Sequence, residues 1–285
     1  IVHAPSGRVL RYGEIAAEAA RESIPEVTLK ADDQHRWIGK SITRLDAKMK
    51  VDGSGLFGID VSVPDMLNAV VLRPPRLGAE LVSFDDRAAR ALPGVVKVLK
   101  IPQGVAVIAS RHWQATRAAE AVKAVWSKGA EWVDSDALRA MYLDRARQPA
   151  KVVRSVGGTE AAEKSAAQVI EAVYELPYLA HATMEPMNCV AMVGKGPTRL
   201  VFGSQAPTLD QINTAGIVKA LPGSIEIETL FAGGSFGRRA NFQSDYATEC
   251  VHIAKKVDCD FCHDENDMAS DNNEHKKIAR SMMKM

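Results

Sequence analysis

The sequence predicts an α+β fold rather than a regularly alternating α/β winding. Two observations carry this. Apolar runs with strand character lie close together, as at Val95–Ile101 and Val105–Ala109 around Pro102-Gln103-Gly104. Helical patterns then follow in irregular order, such as His112–Trp126, whose Ala115, Ala118, Ala119, Val122, Val125 and Trp126 share one face.

In chain order, residues 11–22 read as an Ala/Glu-rich helix ended by Ile24-Pro25, and Val27–Lys30 is a short extended piece. Residues 31–52 are polar. Phe57–Val63 alternates like a strand closed by Pro64, Leu67–Leu72 is an apolar run, and Asp85–Ala91 is a helix stopped by Pro93-Gly94. A polar connector over 127–160 holds a weak helix at Ser135–Arg145 and the expected domain boundary. Glu160–Val169 reads as a helix and Ile170–Leu176 as a strand, followed by an irregular segment through Pro186. Leu200–Gly203 and Ile225–Leu230 read as strands, with helices at Thr208–Leu221 and Phe242–Lys256. From Asp258 the apolar periodicity stops, and the Cys/Asp-rich and Lys/Met-rich end reads as truncated or frame-shifted.

Hydrophobic residues make up 46% of the 285 and charged residues 25%, the balance of a globular protein. A net charge of +1 gives no basic field for nucleic acid. No apolar run is long enough to span a membrane, and the first residues lack the order of a secretory signal. Four cysteines, of which only Cys259 and Cys262 are closely spaced, do not form a disulfide scaffold.

The most unusual stretch is Leu230-Phe231-Ala232-Gly233-Gly234-Ser235-Phe236-Gly237-Arg238-Arg239. Glycines let a backbone turn at positive φ or approach a ligand, and free N–H groups attract anionic oxygens. Both a tight strand-to-helix turn with solvated arginines and an anion-binding loop fit this composition. His181 and Glu185 lie in the Pro-bounded irregular segment. There too two readings stand: His181 bonded to backbone and Glu185 paired with an arginine, or both on the wall of a cavity.

Three motif matches fail on context. Gly53–Gly58 spells the dinucleotide pattern, but a strand-like run follows where a helix is required. Gln34–Ser41 has Gln34 in place of the first glycine of a phosphate-binding loop. Cys259-Asp260-Phe261-Cys262-His263 matches the attachment site of a c-type haem, with Met268 available as second axial ligand. A zinc site built from these cysteines with His263 and His275 is incomplete, because no further histidine follows His275 at finger spacing. Asp32-Asp33 and Asp85-Asp86 read as caps or turn residues.

Taken together, Leu176–Cys189, then Gly203-Ser204-Gln205-Ala206-Pro207, then Gly233-Gly234-Ser235-Phe236-Gly237-Arg238-Arg239 resemble the molybdenum-binding subunit of the xanthine dehydrogenase/aldehyde oxidase family, and most closely its isoquinoline 1-oxidoreductase beta branch. Lys50–Asp60, Pro64–Leu67, Arg73-Pro74-Pro75 and Leu92–Val95 resemble the family's α/β hammerhead domain. The resemblance covers residues 5–257. It implies a remnant of an upstream segment over 1–50, a hammerhead-like domain over 51–134, the first, incomplete part of a molybdopterin-binding domain over 135–257, and an atypical tail over 258–285.

The resemblance further implies oxidation of N-heterocycles or aldehydes with water-derived oxygen at molybdenum held by molybdopterin, often as the cytosine dinucleotide. Electrons would leave through an iron–sulfur partner subunit carrying [2Fe–2S] clusters. Gln205 resembles the glutamine that reaches an oxygen ligand of the metal, and Gly233, Gly234, Ser235, Phe236 and Gly237 resemble the loop whose backbone approaches the cofactor. Phe236 would lie beside the metal, and Arg238 would support the loop or the cofactor's anionic groups. His181 and Glu185 would line the same region. Ser235 stands where the family usually has a third glycine, and Ser204 where a threonine is common. The family's general-base glutamate is absent, so the expectation is a fragment inactive on its own. The alternatives are a non-catalytic module that binds a cofactor or a partner chain, and an electron-transfer haem protein using Cys259, Cys262 and His263. Many relatives are exported, and the compartment is left open.

Overall fold

The computed structural model describes residues 1–131, 134–194 and 196–262, with side chains described through Val257. The chain separates into two compact units, Ile1–Ser54 and Gly55–Met285. The first holds a two-stranded antiparallel ladder, β1 (Val2–His3) with β2 (Arg8–Val9), and helix α1 (Tyr12–Ala19). None of its elements buries a side chain.

The second unit begins with β3 (Asn68–Leu72), β4 (Leu81–Asp85), α2 (Arg87–Arg90), β5 (Val95–Ile101), β6 (Gly104–Ala109), α3 (His112–Ala121) and β7 (Lys123–Trp126). Strands β3, β6 and β5 form an antiparallel sheet with β6 central, and all six residues of β6 are buried. That explains its uninterrupted apolar sequence, since both faces of a central strand are covered. On one face Val98, Val105 and Val107 pack with Ala89, Ala118 and Ala119 of α2 and α3. On the other, Leu99, Ile101, Ala106 and Ile108 meet Ile253.

The remaining elements are α4 (Ser135–Ala146), α5 (Thr159–Ser165), β8 (Val190–Met192), β9 (Arg199–Phe202), α6 (Pro207–Val218), β10 (Glu226–Thr229) and α7 (Asp245–Cys262). Asp134 caps α4 by accepting from the Ala137 N–H at 2.8 Å. Strand β9 is central in a mixed sheet, antiparallel to β8 and parallel to β10, with α6 as the crossover. Its core joins Leu200, Phe202 and Ile225 to Ala215 of α6 and to Tyr246, Ala247 and Val251 of α7. Helix α7 therefore packs on both sheets, through Tyr246 and Val251 on one and Ile253 on the other. A bidentate pair between Arg73 and Glu249 adds a polar tie between the same two layers.

Several sequence expectations are corrected. Phe57–Val63 is not a strand: Gly58–Asp60 forms a 3₁₀ turn, and only Phe57 makes an isolated parallel bridge, to Phe231. The helix expected to reach Trp126 stops at Ala121, because Lys123–Trp126 alternates with period 2 and pairs with β4 instead. The helix expected over Glu160–Val169 ends at Ser165. Ile170–Leu176 has strand alternation but forms no ladder among the described residues. Helix α7 also runs further than expected, to Cys262. His263, Met268 and His275 lie outside the described residues, as do the side chains of Cys259 and Cys262, so the haem and zinc readings fall there. The doublets behave as caps and turns: Asp32-Asp33 open a 3₁₀ turn, and Asp86 is the N-cap of α2 and pairs with Arg90.

Candidate cofactor site

The site is built by parallel pairing. Strands β9 and β10 run side by side, so the loops after both emerge at one end of the sheet. One loop carries Ser204 and Gln205, and the other Gly233–Gly237. Ligands favour this carboxyl end of parallel strands, where the backbone leaves the ladder with groups still to satisfy.

A buried acid fastens the second loop. Glu185 is 6% exposed, and its carboxylate accepts four hydrogen bonds. Oε1 takes the Ile59 N–H at 3.1 Å and Asn188 Nδ2 at 2.9 Å. Oε2 takes the Gly233 N–H at 2.7 Å and Arg239 Nη2 at 2.8 Å. Its own N–H donates to the Gly233 carbonyl at 3.0 Å. Burial alone would push the Glu185 carboxyl up. The bonds from Asn188, Gly233 and Ile59, with the Arg239 charge, outweigh it and hold the group below its ordinary value.

Arg239 is fully buried. Besides Glu185 it donates to the carbonyls of Gly234 at 2.9 Å, Gly203 at 3.3 Å and Glu185 at 3.1 Å. One planar guanidinium thus ties the irregular segment, the β9 loop and the glycine loop together. Gly233 has a steric reason to be glycine: a Cβ there would lie 2.4 Å from Glu185 Cβ.

Beyond Gly233 the loop is open. Gly234, Phe236 and Gly237 have φ of +98°, +53° and +85°, whereas Ser235 does not have positive φ. The Cβ of Ser235 is therefore unobstructed, and the left-handed strain falls on Phe236, a non-glycine residue held there while 73% exposed. Among the described residues, none accepts from the N–H groups of Gly234, Ser235, Phe236 or Gly237. Four successive unspent donors, three of them on residues with positive φ, are suited to anionic atoms.

The first loop meets it side by side. Ser204 turns inward, its hydroxyl on the buried Asp210, and receives the Ala206 N–H at 3.1 Å. Gln205 points outward: its Oε1 accepts from the Ser235 hydroxyl, and its N–H donates to the Arg239 carbonyl at 3.4 Å. Arg238 is engaged bidentately with Asp245 at 2.9 and 2.6 Å, so its charge braces the loop against the start of α7.

The structure thus brings together Gln205, Gly233, Gly234, Ser235, Phe236, Gly237 and Arg238. Of the two readings of Glu185, its geometry is that of the acid paired with an arginine. His181 is exposed in the irregular segment. Arg239, Asn188 and Ile59 complete the frame without having been singled out in the sequence. The signal for Arg239 was present, since a lone acid among apolar neighbours needs a cation, and an arginine adjoins the glycine loop.

Gly58, the last glycine of the false dinucleotide motif, also serves this frame. A Cβ on it would sit 2.2 Å from Asn188 Oδ1. Among the described residues, no group of three or more His, Cys, Asp or Glu side chains could hold a metal directly, and no helix is long and apolar enough to cross a membrane.

Residues 145–280 match the model of the molybdopterin cofactor-binding domain. The beta subunit of isoquinoline 1-oxidoreductase from Brevundimonas diminuta is 30% identical over 257 residues, covering 85% of this chain and 32% of that protein. A nicotinate dehydrogenase subunit from Pseudomonas putida is 29% identical over 271 residues, covering 90% of this chain and 22% of that protein. Both relatives are named as one subunit of a larger enzyme. Among solved structures, quinoline 2-oxidoreductase from Pseudomonas putida 86 superposes with a TM-score of 0.58 at 19% identity, over 77% of this chain and 33% of that one. Aldehyde oxidoreductase from Desulfovibrio gigas gives 0.54 at 17% identity, over 74% of this chain and 29% of that one. These two share the fold. The chain spans between 22% and 32% of the length of the two curated relatives. With its paired loops at one sheet end and a cofactor-domain match across them, the chain is similar to the molybdenum-binding large subunits of the xanthine dehydrogenase/aldehyde oxidase family, and over residues 145–280 to the molybdopterin cofactor-binding domain.

Proposed function

We propose that this chain supplies one wall of the molybdopterin cage in a hydroxylase that oxidises N-heterocycles or aldehydes. The observation that carries the reading is the run of four unspent N–H donors, Gly234–Gly237, beside the outward amide of Gln205, inside the matched domain. The residues fit the group on their own chemistry: donors for anionic oxygens and an exposed aromatic ring. When bound, the molybdenum–molybdopterin group supplies the two-electron oxidation and the activation of water.

The chain's own residues hold and orient. The loop N–H groups bind anionic atoms of the cofactor. Gln205 would offer its NH₂ to an oxygen of the bound group. Phe236, exposed on the same loop, would lie against the group and limit its access to bulk water. Glu185 and Arg239 keep both loops fixed, and Arg238 braces the second through Asp245. His181 would line the same region. Residues 51–134 form the hammerhead-like part, residues 135–257 the first part of the cofactor domain, and an iron–sulfur subunit takes the electrons.

The test is a full-length large subunit containing this sequence, purified with its iron–sulfur partner and assayed for metal and for the source of product oxygen. One molybdenum per large subunit and ¹⁸O from labelled water in the product are expected. No molybdenum, or oxygen from O₂, would overturn the reading. The 285-residue chain by itself is expected to hold no stoichiometric molybdenum, because a partly built cage binds poorly.

A further inference from the structure

We propose that Ser235 is a positioning residue for Gln205: its hydroxyl holds the amide with the carbonyl inward and the NH₂ outward. The inference rests on the cofactor reading above only for what the NH₂ meets. The orientation itself is a property of this chain.

The bonding around the hydroxyl favours this orientation, because a reversed amide would make Ser235 Oγ accept twice and leave its own proton unused by these partners. Ser235 Oγ accepts the Arg239 N–H at 3.2 Å. Its one proton then points to Gln205 Oε1, which accepts it. The Gln205 backbone is pinned to the same residue from the other side, its N–H reaching the Arg239 carbonyl at 3.4 Å. Arg239 is itself fully buried and tied to Glu185. So three bonds close a ring through Gln205, Ser235 and Arg239, and Gln205 keeps only its Nε2 donors for an external acceptor.

The chemical consequence is polarity. A free glutamine amide flips its two ends at little cost and can accept as readily as donate. Fixed by Ser235, Gln205 becomes a dedicated donor. It favours an oxygen carrying negative charge and disfavours a donor such as a protonated ligand. A glycine at position 235 would leave this end of the amide without its partner, so the loop glycine and the loop serine are not equivalent here.

The experiment reads the amide directly, with no cofactor needed. In ¹⁵N-labelled chain the Gln205 side-chain NH₂ pair, assigned by its loss in Gln205→Glu, should be dispersed from the free-glutamine position. In Ser235→Ala it should collapse to that position, while Ser235→Thr, which keeps the hydroxyl, should restore the dispersion. An NH₂ pair at the same position in wild type and Ser235→Ala would overturn the proposal. In the cofactor-loaded enzyme, Ser235→Ala should lower kcat about tenfold, the scale of one lost hydrogen bond in the transition state. KM and molybdenum content should stay unchanged, and Ser235→Thr should recover most of the loss. A drop in metal content or a rise in KM matching the whole effect would overturn the positioning role. Absence of molybdenum from the wild-type enzyme would instead defeat only the cofactor reading and leave the amide result standing.

Discussion

Replacing Glu185 by glutamine keeps the shape of the side chain and removes its charge. The wild-type carboxylate accepts from four donors, two on each oxygen: Ile59 N–H and Asn188 Nδ2 on one, Gly233 N–H and Arg239 Nη2 on the other. A glutamine amide has one carbonyl and one NH₂. In either orientation its NH₂ faces two donors, so two bonds are lost and two N–H groups are set against each other. Arg239, fully buried, then has no counter-charge. Breaking a buried pair from one side costs about 3–5 kcal/mol. At about 2–4 °C per kcal/mol, the melting temperature should fall by roughly 6–20 °C. Urea denaturation at pH 7 of wild type, Glu185→Gln, Arg239→Met and the double variant gives the coupling directly. The double variant should be more stable than the two separate losses added together, by at least about 1 kcal/mol. A loss below about 1 kcal/mol for Glu185→Gln, or additive losses, would refute the view that this pair holds the loops.

The glycines of the loop should separate into two kinds by the same assay. Gly233→Ala places a Cβ 2.4 Å from Glu185 Cβ and should cost about 1–3 kcal/mol by overpacking. Gly237→Ala meets nothing within 4 Å, so only its φ of +85° opposes it, at roughly 1–2 kcal/mol. Gly233→Ala should also disturb the Gln205 side-chain NH₂ resonances while Gly237→Ala spares them; the reverse pattern would contradict the packing described. For pH dependence, burial pushes the Glu249 carboxyl up despite the opposing Arg73 charge. Its folded value thus lies above its unfolded value, so its contribution is fully present below the unfolded value and is lost as pH rises through the folded one. Wild type should accordingly lose stability relative to Glu249→Gln on passing upward through that window, as read by urea denaturation at stepped pH. Glu185 carries the opposite sign: its folded value is depressed, so its stabilisation is present above the unfolded value and lost as pH falls through the folded one.

Much of the second unit was legible in the sequence because its elements are decided locally. β6 is an unbroken apolar run, α6 is bounded by Pro207 and Pro222, and α4 has its Asp134 cap. What failed depended on partners. Ile170–Leu176 alternates like a strand, but alternation marks a face and does not supply a neighbour to bond with. Lys123–Trp126 fitted a helix face equally well until β4 offered a ladder. The site shows the same division. The glycine loop, Gln205 and Glu185 are visible as motifs, whereas the roles of Arg239, Asn188 and Ile59 arise from bonds across 54, 3 and 126 positions of chain to Glu185. Sequence spacing does not encode the two distant contacts. The glycine motif at Gly53–Gly58 shows the converse: correct spacing, with Gly58 kept for contact with Asn188 rather than for a nucleotide.

The most direct measurement of the central claim is amide hydrogen exchange across Gly234–Gly237 in the full-length large subunit, compared between cofactor-loaded and cofactor-stripped protein. These four N–H groups have no acceptor among the described residues. They should exchange fast in the stripped protein and become protected when molybdopterin is bound, while the Gly233 N–H, held by Glu185, is protected in both states. Equal exchange at Gly234–Gly237 in the two states would show that the loop does not hold the cofactor.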